Sequence, residues 1–187
     1  MSGQQPVHVG VAEQGKIYAL SGDTPRALHH YREAIRMAVE QKAPEVYFRH
    51  YTQCVLEILE HSAAYPEVLE FCQRAERHYH EHPPDNPLAR RDLASILERR
   101  GVVLVKMGQA VAAQEALRAA LQIAREDGFD LPLANTVGQW LRSGLHIDPR
   151  RVKQEQERRG YYVVRRGNVS PSLAIRLPEQ TDVSTRR

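Results

Sequence analysis

GKIYALSGDTPRALHHYREA, residues 15–34, and GVVLVKMGQAVAAQEALRAA, residues 101–120, repeat one arrangement of small and large side chains. Counting from Gly15 and Gly101, a large apolar residue stands three positions on (Tyr18, Leu104) and a second glycine seven on (Gly22, Gly108). Alanine follows at twelve (Ala27, Ala113), a large apolar residue at sixteen (Tyr31, Leu117) and alanine again at nineteen (Ala34, Ala120). The arrangement suits two helices packed side by side. The first glycine lets the second helix approach closely. Gly22 and Gly108 fall where the first helix must stop, in the left-handed conformation that glycine adopts without steric cost. Asp23 or Thr24 then caps the next helix, and Pro25 fits its first turn. Each such hairpin leaves one apolar face uncovered, so neighbouring hairpins are expected to stack.

These positions resemble the tetratricopeptide repeat, a helix–turn–helix unit of about 34 residues. The resemblance spans residues 8–127 and includes a degenerate middle unit. Setting Pro66 against Pro25 places Leu56, Leu59, Ala63, Val68, Cys72 and Ala75 at the six positions, so the turn glycine has become Ala63. Pro25, Pro66 and Val111, equivalent in the three units, are 41 and 45 residues apart, which calls for longer helices or loops than the family's period. The resemblance implies an all-α solenoid of three helical hairpins whose first helices line a concave groove that takes an extended peptide or a helix. Carried over unit by unit, the groove positions are Lys16, then Gln53 and Glu57, then Arg99, Val102 and Lys106. Val102 and its neighbours would supply apolar contact, while Lys16, Glu57, Arg99 and Lys106 set register and polarity. The carboxylate clamp of some family members is not expected, because the matching positions hold Lys16, Cys54, Ser95 and Arg99, without Asn.

Periodicity supplies the other elements. Glu45 to Ser62 reads as a long amphipathic helix, and His82-Pro83-Pro84-Asp85-Asn86-Pro87 as the clearest loop. Gly128 ends a helix, and Leu131 to Leu145, with Trp140 as its anchor, reads as a helix capping the stack. Pro149 to Arg159 looks like a short polar helix. Tyr161–Val164 and Leu173–Ile175 read as two short strands about Gly167-Asn168, a β-hairpin that must dock to be stable. The expected organisation is a helical repeat domain over residues 8–146, then a basic extension over residues 147–187 that ends in a disordered tail from Pro178.

Composition narrows the classes of function. The chain has 187 residues, 42% hydrophobic, and a mean hydropathy of −0.54. No run approaches the ~18 apolar residues of a membrane span, and Met1 to Gly10 lacks the features of a secretion signal. Cys54 and Cys72, both in apolar-periodic stretches, read as buried thiols of a reducing compartment, so a cytoplasmic protein without a membrane contact is expected. The net charge of +3 conceals an asymmetry. Pro149–Arg187 holds ten Lys and Arg against four acids, a net +6, which leaves −3 on the repeats.

Arg150, Arg151, Arg158, Arg159, Arg165 and Arg166 alternate with Tyr161-Tyr162, a pattern suited to an anionic partner. Nucleic acid is therefore an alternative to the protein or peptide partner expected of the groove. A homo-oligomer in which the tail of one copy fills the groove of another is a third. His78, His80 and His82 lack a third ligand at fixed spacing and read as a solvated helix end rather than a metal site. No phosphate loop, nucleophile elbow or Cys/His catalytic pair is present, so neither catalysis nor a cofactor is expected. The expectation is a protein–protein interaction scaffold or adaptor.

Overall fold

Eight α-helices form among the described residues of the computed structural model, which are 5–144 and 146–178. They are α1 (Val7–Leu20), α2 (Thr24–Glu40), α3 (Glu45–His61), α4 (Tyr65–Glu81), α5 (Pro87–Lys106), α6 (Ala110–Asp127), α7 (Pro132–Arg142) and α8 (Pro149–Arg158). The fold is all-α. The tail expected beyond Pro178, and Leu145 of the expected capping helix, lie outside the described residues.

The paired glycines act as the repeat requires. A Cβ on Gly15 would lie 2.8 Å from the Tyr31 ring, and one on Gly101 2.5 Å from Leu117 Cγ, so α1 meets α2, and α5 meets α6, at a distance only glycine permits. Gly22 (φ 79°) and Gly108 (φ 74°) turn the chain between those helices in the left-handed region. In the middle unit Ala63 adopts the same conformation (φ 59°) despite its side chain. Asp23 caps α2 by accepting from the Arg26 amide, and Gly128 (φ 71°) closes α6.

The described residues fall into two compact units, divided within α3 and again after Tyr162. The first unit comprises those of Met1–Ile58 and Val163–Arg187. Its core is built from Val11, Ala12, Ala34, Ala38 and Tyr51 in one cluster and Ala27, Tyr31, Cys54 and Ile58 in another. The second unit, Leu59–Tyr162, packs Val102, Leu104, Ala113, Leu117, Leu133, Val137 and Val152 together. Leu117 is 1% exposed, a burial that stabilises by about 2 kcal/mol. Of the basic extension expected over residues 147–187, α8 packs on α5 and α7 in the second unit, and the chain from Val163 belongs to the first.

The expected β-hairpin does not form. No strand occurs among the described residues, and the stretch after α8 is irregular, with 3-10 turns at Arg166–Asn168 and Pro171–Leu173. The reason is competition for backbone groups. Asn168 donates from its side-chain amide to the Val163 carbonyl and accepts from the Arg165 amide at 2.8 Å, closing a local turn, while other amides of the stretch are taken by helix side chains.

Candidate functional site

Within the first unit, the irregular segment from Val163 to Leu177 lies along α1, α2 and α3, and its main chain is held at five points. Glu57, on α3 and only 1% exposed, accepts the amides of Val163 and Val164 with its two oxygens, at 2.6 and 3.0 Å. Glu13, on α1, accepts the Ser170 amide at 2.7 Å with Oε2. Its Oε1 takes the Lys16 ammonium at 2.7 Å, and both side chains are about nine-tenths buried. The Gly10 carbonyl accepts the Ile175 amide at 2.9 Å, and His30 Nε2, on α2, accepts the Leu177 amide at 3.1 Å.

Three of the four acceptors have a local reason to be where they are. Glu13 and Lys16 sit three apart on one face of α1, so the lysine neutralises a carboxylate whose other oxygen remains open to an amide. Gly10 brings the α1 backbone within reach: a Cβ there would stand 2.6 Å from Leu173 O and 2.6 Å from Ile175 Cδ1. His30 Nδ1 contacts the Arg26 carbonyl at 2.9 Å, so Nδ1 carries the proton and Nε2 is free to accept. Burial, opposed by the bond to the Arg26 carbonyl and aided by the nearby charges of His29 and Arg26, lowers the His30 pKa and favours that neutral form. Charge-assisted bonds from carboxylate to amide are the stronger kind, and here they read main chain rather than side chain. Apolar seats accompany them. Val163 and Val164 pack on the Ala27, Tyr31, Cys54 and Ile58 cluster, and Leu177 on the Val11, Ala12 and Ala34 cluster.

Within the second unit, a buried polar cluster centres on Glu60, which is 2% exposed. Arg99 reaches Oε2 at 3.2 Å, Lys106 reaches Oε1 at 2.7 Å, and Gln156 donates to Oε1 at 2.5 Å. Tyr161 donates to Oε2 at 3.3 Å beneath the Arg99 guanidinium, 4.9 Å from its ring centroid. Burial alone would raise the Glu60 pKa, but Arg99 and Lys106, with the hydrogen bonds, hold it below the usual carboxylate range. Burial lowers the Lys106 pKa against the pull of Glu60. The cluster is closed and satisfied, so it fixes α5 and α8 rather than meeting a ligand.

The six groove positions drawn from the repeat thus have definite places. Lys16 pairs with Glu13, Glu57 holds the segment, Arg99 and Lys106 pair with Glu60, and Val102 is fully buried in the second unit's core. Gln53 is half-buried on α3. Five of the six are therefore internal rather than open contacts. Of the arginines, Arg150, Arg151, Arg158, Arg159, Arg165 and Arg166 are all exposed. Arg158 and Arg159 pair with Glu155, and Arg151 lies 4.2 Å over the Trp140 ring.

Gly10, Glu13 and His30 were missed by the sequence reading. One signal pointed to Gly10, a glycine inside α1 that the repeat pattern does not require. Cys54 and Cys72 are free and buried, and burial pushes both thiols up to about 12. Among the described residues no group of three or more His, Cys, Asp or Glu is placed to hold a metal ion; the His78 and His82 rings stack with centroids 4.9 Å apart. Nor is any helix among them long and apolar enough to cross a membrane. Comparison with protein-family models, with curated proteins and with solved structures finds no match to this chain.

Proposed function

We propose that this chain is a divergent tetratricopeptide-like interaction module, non-catalytic and cytoplasmic, that binds an extended peptide of a partner protein, and that its own residues 163–177 hold the peptide site until the partner displaces them. The observation that supports this reading is the pair of buried carboxylates, Glu57 and Glu13, spent on the main-chain amides of an irregular segment. Acceptors that read backbone amides serve any chain that follows the same path, and the apolar seats under Val163, Val164 and Leu177 supply selectivity. An intramolecular occupant has a high effective concentration, so a partner must bind better or act when the segment is loosened.

The test is display selection of peptides against the full chain and against a chain ending at Tyr162. Selected peptides should bind the shortened chain, bind the full chain more weakly, and be competed by a synthetic peptide of residues 163–178. They should be lost with Glu57→Gln. Selection of nothing that competes with that peptide, or loss of α1–α3 helicity on truncation, would show that the segment is simply part of the fold and end the proposal.

A further inference from the structure

Within the second unit, α6 and α7 enclose a cleft of about 140 Å³ with an arginine-rich wall. Arg118 and Arg125 lie seven residues apart on one face of α6, and Arg142 joins them from α7. None of the three has an acidic partner among the described residues, unlike Arg90, Arg100, Arg158 and Arg159 of the same unit. Leu117 and Leu121 give it an apolar floor, and Leu121 and Arg125 are shared with an adjoining cleft of about 370 Å³ lined by Phe129 and Leu131 with Asp130 and Asn135 at its polar side.

Gly138 is the telling residue. It sits inside α7, where glycine costs about 1 kcal/mol relative to alanine. Packing does not demand it: a Cβ would meet only Arg142 Nη1, at an ordinary 3.5 Å, in contrast to the clashes at Gly10, Gly15 and Gly101. What the missing side chain does is keep the cleft open beneath the Arg142 guanidinium.

We propose that the α6–α7 cleft is a docking site for a partner-protein segment in which acidic side chains alternate with apolar ones. Charge decides the occupant's acids, because three unpaired guanidiniums favour carboxylates at separate points. Arg118 and Arg125 are about 10 Å apart along the helix, too far to serve one small anion from fixed positions. The Leu121, Phe129 and Leu131 floor decides the apolar component. This site does not depend on the peptide site of the first unit.

The experiment uses the full chain and a short fluorescein-labelled peptide of alternating Glu and Leu, followed by anisotropy. Saturable binding is expected. Arg118→Ala with Arg142→Ala should weaken it by about tenfold, the loss of two partly exposed charge contacts. Gly138→Leu, which fills the cleft from within, should weaken it at least as much, with the circular dichroism spectrum unchanged. A peptide of Glu alone should bind less tightly than the alternating one. Absence of saturable binding, binding indifferent to all three substitutions, or equal affinity for the Glu-only peptide would each overturn the proposal. Should Gly138→Leu lose helicity, the arginine pair and the Glu-only peptide still decide it.

Discussion

Gly10→Ala sets the first unit's helix against its docked segment, and the two should respond in opposite directions. The added methyl carbon would lie 2.6 Å from Leu173 O, a backbone atom that no side-chain rotation can withdraw. The Leu173–Ile175 stretch must therefore move off α1, breaking the 2.9 Å bond from the Ile175 amide to the Gly10 carbonyl. One such bond contributes about 1 kcal/mol, and partial loss of the adjoining Leu177 packing adds about another. Opening of the segment should become easier by about 2 kcal/mol, about thirtyfold. Alanine meanwhile favours α1 by about 1 kcal/mol over glycine, enough to raise the melting temperature by about 2–4 °C in a chain of this size. Native-state hydrogen exchange by NMR measures the first effect and thermal circular dichroism the second. Protection of the Ile175 and Leu177 amides should fall by the larger factor, with Val163 and Val164, held by Glu57, less affected. If Ile175 and Leu177 kept their protection while the helix was stabilised, the segment would not be held as described.

Three further outcomes follow from the same geometry. Ala63→Gly should stabilise by about 0.5–1 kcal/mol in urea unfolding, since a left-handed alanine costs about 1–2 kcal/mol and glycine returns part of that as chain entropy; Gly108→Ala should do the reverse. Glu60→Gln should destabilise by about 3–5 kcal/mol by leaving Arg99 and Lys106 buried without their counter-charge, and an effect under about 1 kcal/mol would contradict the closed cluster. Because burial and its cationic neighbours depress the His30 pKa, its contribution to docking is complete above the unfolded value of about 6.5 and is lost as pH falls through the folded value. Protonated Nε2 cannot accept, and Tyr18, His29 and Arg26 around it offer no carboxylate to compensate, so Leu177 protection should fall on acidification more than that of Val163; equal pH dependence of the two would refute the role of His30.

The hairpins could be read directly because everything that makes them is local. Gly15 and Tyr31, or Gly101 and Leu117, are sixteen residues apart and locked together by two helices and one turn. The periodicity of α3 and α5 likewise marks which face is buried. It does not say what buries it. Glu57, Arg99 and Lys106 were legible as polar residues on the inner face of first helices, and open solvent was the natural expectation for them. Glu57 is covered instead by Val163 and Val164, Arg99 pairs with Glu60 and lies over the Tyr161 ring, and Lys106 pairs with Glu60. The two strands expected after α8 failed for the same reason: the pattern of Tyr161–Val164 fits a strand, but the amide acceptors available to Val163 and Val164 lay on α3.

By itself the sequence determined the helices, their turns and the close approach at Gly15 and Gly101, since capping, left-handed turns and 3.6-residue periodicity act over a few residues. Only the tertiary structure decided that the basic extension divides at Tyr162, with α8 packed in one unit and Val163–Leu177 bound through its backbone in the other. Contacts such as Glu57 with Val163, 106 positions apart, leave no periodic trace, because a carboxylate that binds an amide sets no requirement on the side chain that amide carries.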